Sequence, residues 1–243
     1  MNKVITAYKN VGETPLECLE RVRKEQGFSA DLPMTYAGRL DPMAEGLLLI
    51  LTGDECKNKE KYLGLDKEYE IEVLFGLKTD THDVLGLIRG VDIEKGKEID
   101  LQKYVGKFEQ EYPMYSSKTV QGKQLHEYAR SGEEIEEMPT KNVEIYSIEK
   151  IGESEISGLE LAAGVIEKVS RVNGDFRQEE TILDWQDLAQ EFSKVDFKVI
   201  KLRVNCSSGT YMRSLAERMG KDAGIGAIAY SIKRNFVGEY KID

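Results

Sequence analysis

Residues 47–51, Leu-Leu-Leu-Ile-Leu, form an unbroken apolar run. It is entered through Tyr36-Ala37-Gly38-Arg39-Leu40-Asp41-Pro42-Met43-Ala44-Glu45-Gly46. A short continuous run of this kind reads as a strand buried inside a sheet. It is far too short to cross a bilayer, which takes roughly 20 apolar residues. The segment before it sets one carboxylate, Asp41, on a Gly- and Pro-bounded loop that runs straight into the strand. Binding and catalytic groups concentrate on loops that a rigid neighbour holds in place. A bare Asp-Pro pair merely starts a turn, so the weight of this motif lies in its length and in what accompanies it. Gly38 and Gly46 are expected to permit tight backbone turns beside Asp41.

Periodicity places the other elements. Residues 4–8 read as a strand, and residues 14–26 as a helix with a Thr14 cap and Glu17 at the capping-box position. Residues 69–75 alternate with period two, as do 143–150 and 198–205, and all three are expected as strands. Residues 101–104 begin a helical segment, residues 122–130 form another, and 211–222 a further helix after a Gly-Thr turn. Residues 235–242 read as a final strand. Strands outnumber helices and do not alternate regularly with them, so the expected class is α+β and not a doubly wound sheet. No repeat or low-complexity linker divides the chain.

At 243 residues with 40% hydrophobic content, the chain can bury a sizeable core. The N-terminus lacks the apolar segment of a signal peptide, and a cytoplasmic location is expected. Three cysteines at unrelated spacings, Cys18, Cys56 and Cys206, argue against a disulfide framework. The two histidines, His82 and His126, have no second ligand at zinc spacing. Asp80 and Asp83 lack a third ligand and are read as loop or cap residues, so no metal site is expected. The formal charge of −10 counts against a nucleic-acid partner. Charge is unevenly spread, however. Basic residues gather at Lys118, Lys123 and Arg130, and at Arg213, Arg218, Lys221, Lys233 and Arg234, which leaves room for a basic face on an acidic body.

Four blocks in order resemble the TruB family of tRNA pseudouridine synthases. The motif around Asp41 is similar to that family's Gly-x-Leu-Asp-Pro-x-Ala-x-Gly. DKEYEIEVLFGLKTDTHDVLG at 66–86, PMYSSKTVQGKQLHEYARSG at 113–132 and VNCSSGTYMRSL at 204–215 resemble its other three blocks. The opening, ITAYKNVGETPLECLERVR, is similar to its first strand and helix. Arg39 also gives the motif a look of the RsuA and RluA families, which modify ribosomal RNA and other uridines.

The resemblance implies the pseudouridine synthase fold: a mixed, mostly antiparallel sheet with flanking helices and a central cleft. It implies isomerisation of uridine to pseudouridine in tRNA, at position 55 of the T-loop, without cofactor; the alternatives are a pseudouridine synthase for another structured RNA or a non-catalytic RNA-binding relative that kept the scaffold. Asp41 is then the catalytic carboxylate, Arg213 its paired cation, and Tyr69 the ring that stacks on the target base. Ile232 falls beneath that base. Tyr36, standing where a histidine is usual, and Arg39 are substrate-binding candidates. Lys9, Lys118, Lys123 and Lys233 are candidates for phosphate contacts. Glu45 replaces a small hydroxyl residue and is expected to bring a negative charge close to Asp41. Against the family pattern, residues 152–193 look like an insertion between paired strands, folded as a small hairpin-plus-helix subdomain. The expected organisation is one catalytic domain over residues 1–243 with that insertion and no C-terminal PUA domain. It is expected to act as a monomer on the T-arm stem-loop of tRNA, with no membrane and no metal partner.

Overall fold

Leu47, Leu48, Leu49, Ile50 and Leu51 are completely buried, which only a strand covered on both faces allows. The computed structural model describes residues 2–242, and in it this run is the middle of β3 (Ala44–Thr52), after β1 (Lys3–Lys9), α1 (Pro15–Glu25) and β2 (Met34–Ala37). Next come α2 (Lys59–Leu63), β4 (Lys67–Phe75) and a two-stranded ribbon of β5 (Leu77–Thr79) and β6 (Ile88–Val91). β7 (Gly106–Glu111) follows, then the short hairpin β8 (Thr119–Val120) and β9 (Lys123–Gln124) leading into α3 (Leu125–Ser131). The second half holds β10 (Thr140–Ser157), α4 (Gly158–Val169), α5 (Gln178–Glu191) and β11 (Asp196–Cys206). α6 (Met212–Ala223), β12 (Ala227–Val237) and β13 (Tyr240–Lys241) complete the described residues.

The main sheet runs β1-β3-β12-β4-β11-β10-β7, with β2 beside β3 and β13 beside β12. Among the described residues, the β12–β3 pair is the one parallel strand pair of this sheet, and its other strand pairs are antiparallel. This is the mixed, mostly antiparallel α+β arrangement expected from the sequence. α1 begins where its cap dictates. The Thr14 hydroxyl accepts from the Glu17 N–H, and the Glu17 carboxylate accepts from the Thr14 N–H.

Each sheet face has its own core. Tyr69, Ile71 and Val73 of β4 pack with Leu215, Ala216 and Met219 of α6 on one face. On the other, Leu74, Val199 and Ile228 pack with Leu161, Val165 and Val169 of α4 and Trp185 of α5. Four expectations change here. Residues 101–104 make a single 3-10 turn that passes into β7. The helix expected over 122–130 begins at Leu125, because Gln121 and Gly122, both at positive φ, turn the β8–β9 hairpin first. The final strand starts much earlier than residue 235, at Ala227. In residues 152–193 the expected helix is present as α5, but a second helix, α4, stands where a hairpin was expected. β10 runs on to Ser157, whose hydroxyl caps α4, and the remainder is the α4–α5 pair. Trp185, fully buried, anchors that pair to the sheet, and truncating it to Ala removes about 3–5 kcal/mol of packing.

Candidate active site

The loop before β3 is held from both sides by buried cations that bond backbone carbonyls. Lys9, on β1, donates from Nζ to the carbonyls of Ala44 (2.5 Å), Asn10 (2.9 Å) and Pro42 (3.4 Å). Arg234, on β12, donates from Nε to Leu47 O (2.8 Å), from Nη2 to Gly38 O (3.0 Å) and from Nη1 to Arg39 O (3.3 Å). Gly38 has φ +78, a backbone state that side chains disfavour. These contacts fix the path of residues 38–44, and the Ala44 N–H closes a turn onto Asp41 O at 3.0 Å.

Asp41 emerges from that loop with its side chain 38% exposed, while the Arg213 side chain behind it is only 4% exposed. Arg213 Nε donates to Asp41 Oδ2 at 2.7 Å. The rest of the fork goes elsewhere: Nη1 donates to Thr81 O at 2.7 Å and Nη2 to Tyr115 O at 3.1 Å. The pair is therefore single-pronged. The guanidinium is locked in plane by three acceptors from three segments, so Asp41 meets a cation whose orientation is already set.

A second carboxylate completes the arrangement. Asp83 Oδ2 lies 3.7 Å from Arg213 Nε, and Asp83 Oδ1 accepts from the Thr81 hydroxyl (2.5 Å) and the Leu85 N–H (3.0 Å). Burial pushes the Asp83 carboxyl above the ordinary range, against the opposing pull of Arg213. The sequence reading of Asp83 as a loop residue captures the Leu85 bond but misses the face it turns to Arg213. The spacing Thr81-His82-Asp83 foretells the Thr81 hydroxyl bond but not the contact with Arg213, which lies 130 positions further along the chain.

A cleft of about 390 Å³ opens over this group. Tyr36, Arg39, Leu40, Asp41, Thr81, Asp83 and Arg213 line it, together with Tyr115 and Ser116 from the 113–131 segment. Tyr69 and Ile232 belong to the buried cluster that also contains Leu40, and burial raises the Tyr69 phenol pKa. Tyr36 carries the Lys59 ammonium 5.3 Å from its ring centre. The α4–α5 connection reaches the same cleft through Asp175, Phe176 and Arg177, which the sequence reading did not anticipate.

Several basic candidates stand elsewhere. Lys9 is fully buried and its ammonium is occupied by carbonyls, so it holds the loop and cannot meet a phosphate. Lys233 neighbours Ile232 on β12, and successive strand residues face opposite ways. It therefore leaves the sheet on the side away from Tyr69, beside its register partners Glu45 and Glu70. Glu45 shares that far side and accepts from the Tyr8 hydroxyl at 2.7 Å, so its charge is not aimed at Asp41. Lys118 remains exposed, 5.1 Å over the Tyr112 ring, whereas Lys123 pairs with Glu133 at 2.6 Å. The second basic cluster makes no basic face. Arg213 and Arg234 are buried, Lys221 pairs with Glu217, and Arg218 stacks over Tyr104 and Phe108.

The overall fold is similar to that of known structures. A Cbf5-Nop10-Gar1 complex contains a chain that superposes with TM-score 0.57 at 17% identity, covering 99% of this chain and 50% of that one. A structure of an H/ACA RNP bound to a substrate RNA containing 2'-deoxyuridine gives TM-score 0.53 over 99% of this chain and 49% of that one. The architecture is the α+β fold of pseudouridine synthases. Residues 32–163 match the TruB family pseudouridylate synthase N-terminal domain. The tRNA pseudouridine synthase B of Geobacillus thermodenitrificans is 32% identical over 248 residues, covering 100% of this chain and 69% of that protein. The protein of the same name from Nostoc sp. is 31% identical over 226 residues, covering 90% of this chain. The chain belongs to the TruB family. It spans 62% of the length of the Nostoc relative.

Proposed function

We propose that the protein isomerises uridine to pseudouridine in tRNA, with the T-loop uridine as target and Asp41 as the catalytic carboxylate. The observation that carries this reading is the Asp41–Arg213 bond, in which a partly exposed carboxylate meets a buried, fully oriented guanidinium at the base of a cleft. The reaction breaks the N-glycosidic bond, turns the freed uracil and rejoins it through carbon. Atoms and charge balance within the nucleotide, so no cofactor enters. Asp41 acts at the sugar, as a nucleophile or as a base on a sugar C–H. Arg213 holds the carboxylate in place through both steps.

The target base must leave its loop to reach Asp41. Extrusion costs a few kcal/mol, and stacking on an aromatic ring returns roughly 1–3 kcal/mol. Tyr69, beside Leu40 and Ile232, is assigned that role. Tyr36 and Arg39 at the cleft rim are assigned to the neighbouring nucleotides, and exposed Lys118 to a phosphate. The test is chemical mapping of pseudouridine in tRNA and in the isolated T-arm stem-loop after incubation with wild type and Asp41→Asn. The variant is expected to bind RNA nearly as well and to form no pseudouridine. Appreciable product from it would remove Asp41 from its role.

A further inference from the structure

The structure assigns a positioning role to α5: we propose that this helix, inside the segment that reads as an insertion, sets the geometry of the Asp41–Arg213 pair by gripping the loop between β5 and β6. Three α5 residues and the N-cap residue Arg177 reach that loop or the first residue of β6. Arg177, at the N-cap, bonds Asp80 through both terminal nitrogens at 2.8 and 3.1 Å. The Thr181 hydroxyl donates to Leu85 O at 3.0 Å, and the Trp185 indole N–H donates to Val84 O at 3.2 Å. Asp184 Oδ2 accepts from the Ile88 N–H at 2.8 Å. These positions recur as i, i+4, i+7 and i+8, which is one face of a helix.

The loop so held is the one that orients Arg213. It supplies the Thr81 carbonyl that accepts from Nη1 and the Asp83 carboxylate beside Nε. Two of the α5 donors end on the carbonyls of Val84 and Leu85, next in sequence to Asp83. Both are fully buried, and a buried carbonyl robbed of its donor shifts to find another. A displacement of about 1 Å at a catalytic group costs on the order of 10²-fold in rate. The helix thus acts on the reaction through Arg213 and touches no reacting atom.

The kinetic arm of the test rests on the synthase reading; the spectroscopic arm does not. Thr181→Val with Trp185→Phe removes both donors and keeps most of the packing volume. Expected are a fall in kcat of about tenfold or more, KM for tRNA within about twofold of wild type, and an Arg213 Nε–H signal that moves and exchanges faster with solvent. Thr181→Ser alone, which keeps the hydroxyl donor, should leave both readouts at the wild-type level. Val165→Ala in α4 opens a cavity in the same core and, at matched loss of Tm, should change neither. If the double variant fails to fold, Thr181→Val alone carries the same expectations. Wild-type kcat with an unmoved Arg213 signal in the donor variants would overturn the proposal, as would an equal loss of kcat in Val165→Ala. A wild-type protein that forms no pseudouridine would sink the synthase reading, and the Arg213 signal would still decide the positioning role.

Discussion

Gly46 and Arg234 lie backbone against backbone across the parallel β3–β12 pair: a Cβ on Gly46 would stand 2.3 Å from the Arg234 carbonyl oxygen, and Gly46 itself has φ +104. Gly46→Ala therefore meets two penalties. The disfavoured backbone costs about 1–3 kcal/mol, and the clash with main chain adds to it because no rotamer change relieves it. Gly27→Ala is the comparison, since Gly27 has φ +64 with nothing within 4 Å. Urea midpoints should show Gly46→Ala losing clearly more stability than Gly27→Ala. Equal losses would mean that the strand pair is loose at this point.

Arg213→Lys keeps the charge but not the fork. One ammonium cannot reach Asp41, Thr81 O and Tyr115 O together in the plane the guanidinium fills. Turnover should fall on the order of 10²-fold or more, as when a preorganised donor is lost, with little change in KM. Carbonyls left without donors should cost about 1–3 kcal/mol of stability. Steady-state kinetics and an unfolding curve on the same preparation separate the two effects. A Lys variant at wild-type rate would show that the orientation of this cation is immaterial.

Lys9 links stability to pH. Burial pushes its ammonium down from the ordinary 10.5 to about 8. Between those values the unfolded chain holds a proton that the folded chain has released, so this group makes stability rise with pH across that window. Its slope is at most about 1.4 kcal/mol per pH unit. The stability difference between wild type and Lys9→Met should therefore move in favour of wild type from pH 8 to pH 10.5. A flat difference would mean that Lys9 keeps its proton in the fold.

The strands were legible where burial and period agree. The run 47–51 and the alternation at 69–75 carry their own pattern, and the Thr14–Glu17 box marks the start of α1. What misled was charge read without geometry. Lys9, Arg213 and Arg234 count in the sequence as cations available at a surface, yet each is buried and bonded to carbonyls or carboxylates. Composition cannot report the side on which a lysine leaves a strand, so Lys233 and Glu45 were set against the wrong face. In the 152–193 segment the helix α5 was legible, whereas α4 was obscured because its apolar stripe, Leu161, Val165 and Val169, is narrow. Asp83 was the missing partner of Arg213, since a contact across 130 positions of chain leaves no local trace.

The place of β12 in the sheet has a consequence for how the molecule comes into being. β3 and β4 are close in sequence but do not pair; residues 227–237 stand between them. A chain emerging from the ribosome can form the local β1–β3 and β10–β11 antiparallel pairs early, but the two halves of the sheet stay unjoined until β12 arrives. Loop closure over such a separation is slow compared with local pairing, and synthesis proceeds at only about 5–20 residues per second. Residues 38–44 lack their Arg234 tether throughout that interval. Nascent chains halted before residue 227 would hold the Asp41 loop from the Lys9 side alone, with the Gly38 and Arg39 carbonyls waiting for Arg234 to arrive on the last long strand.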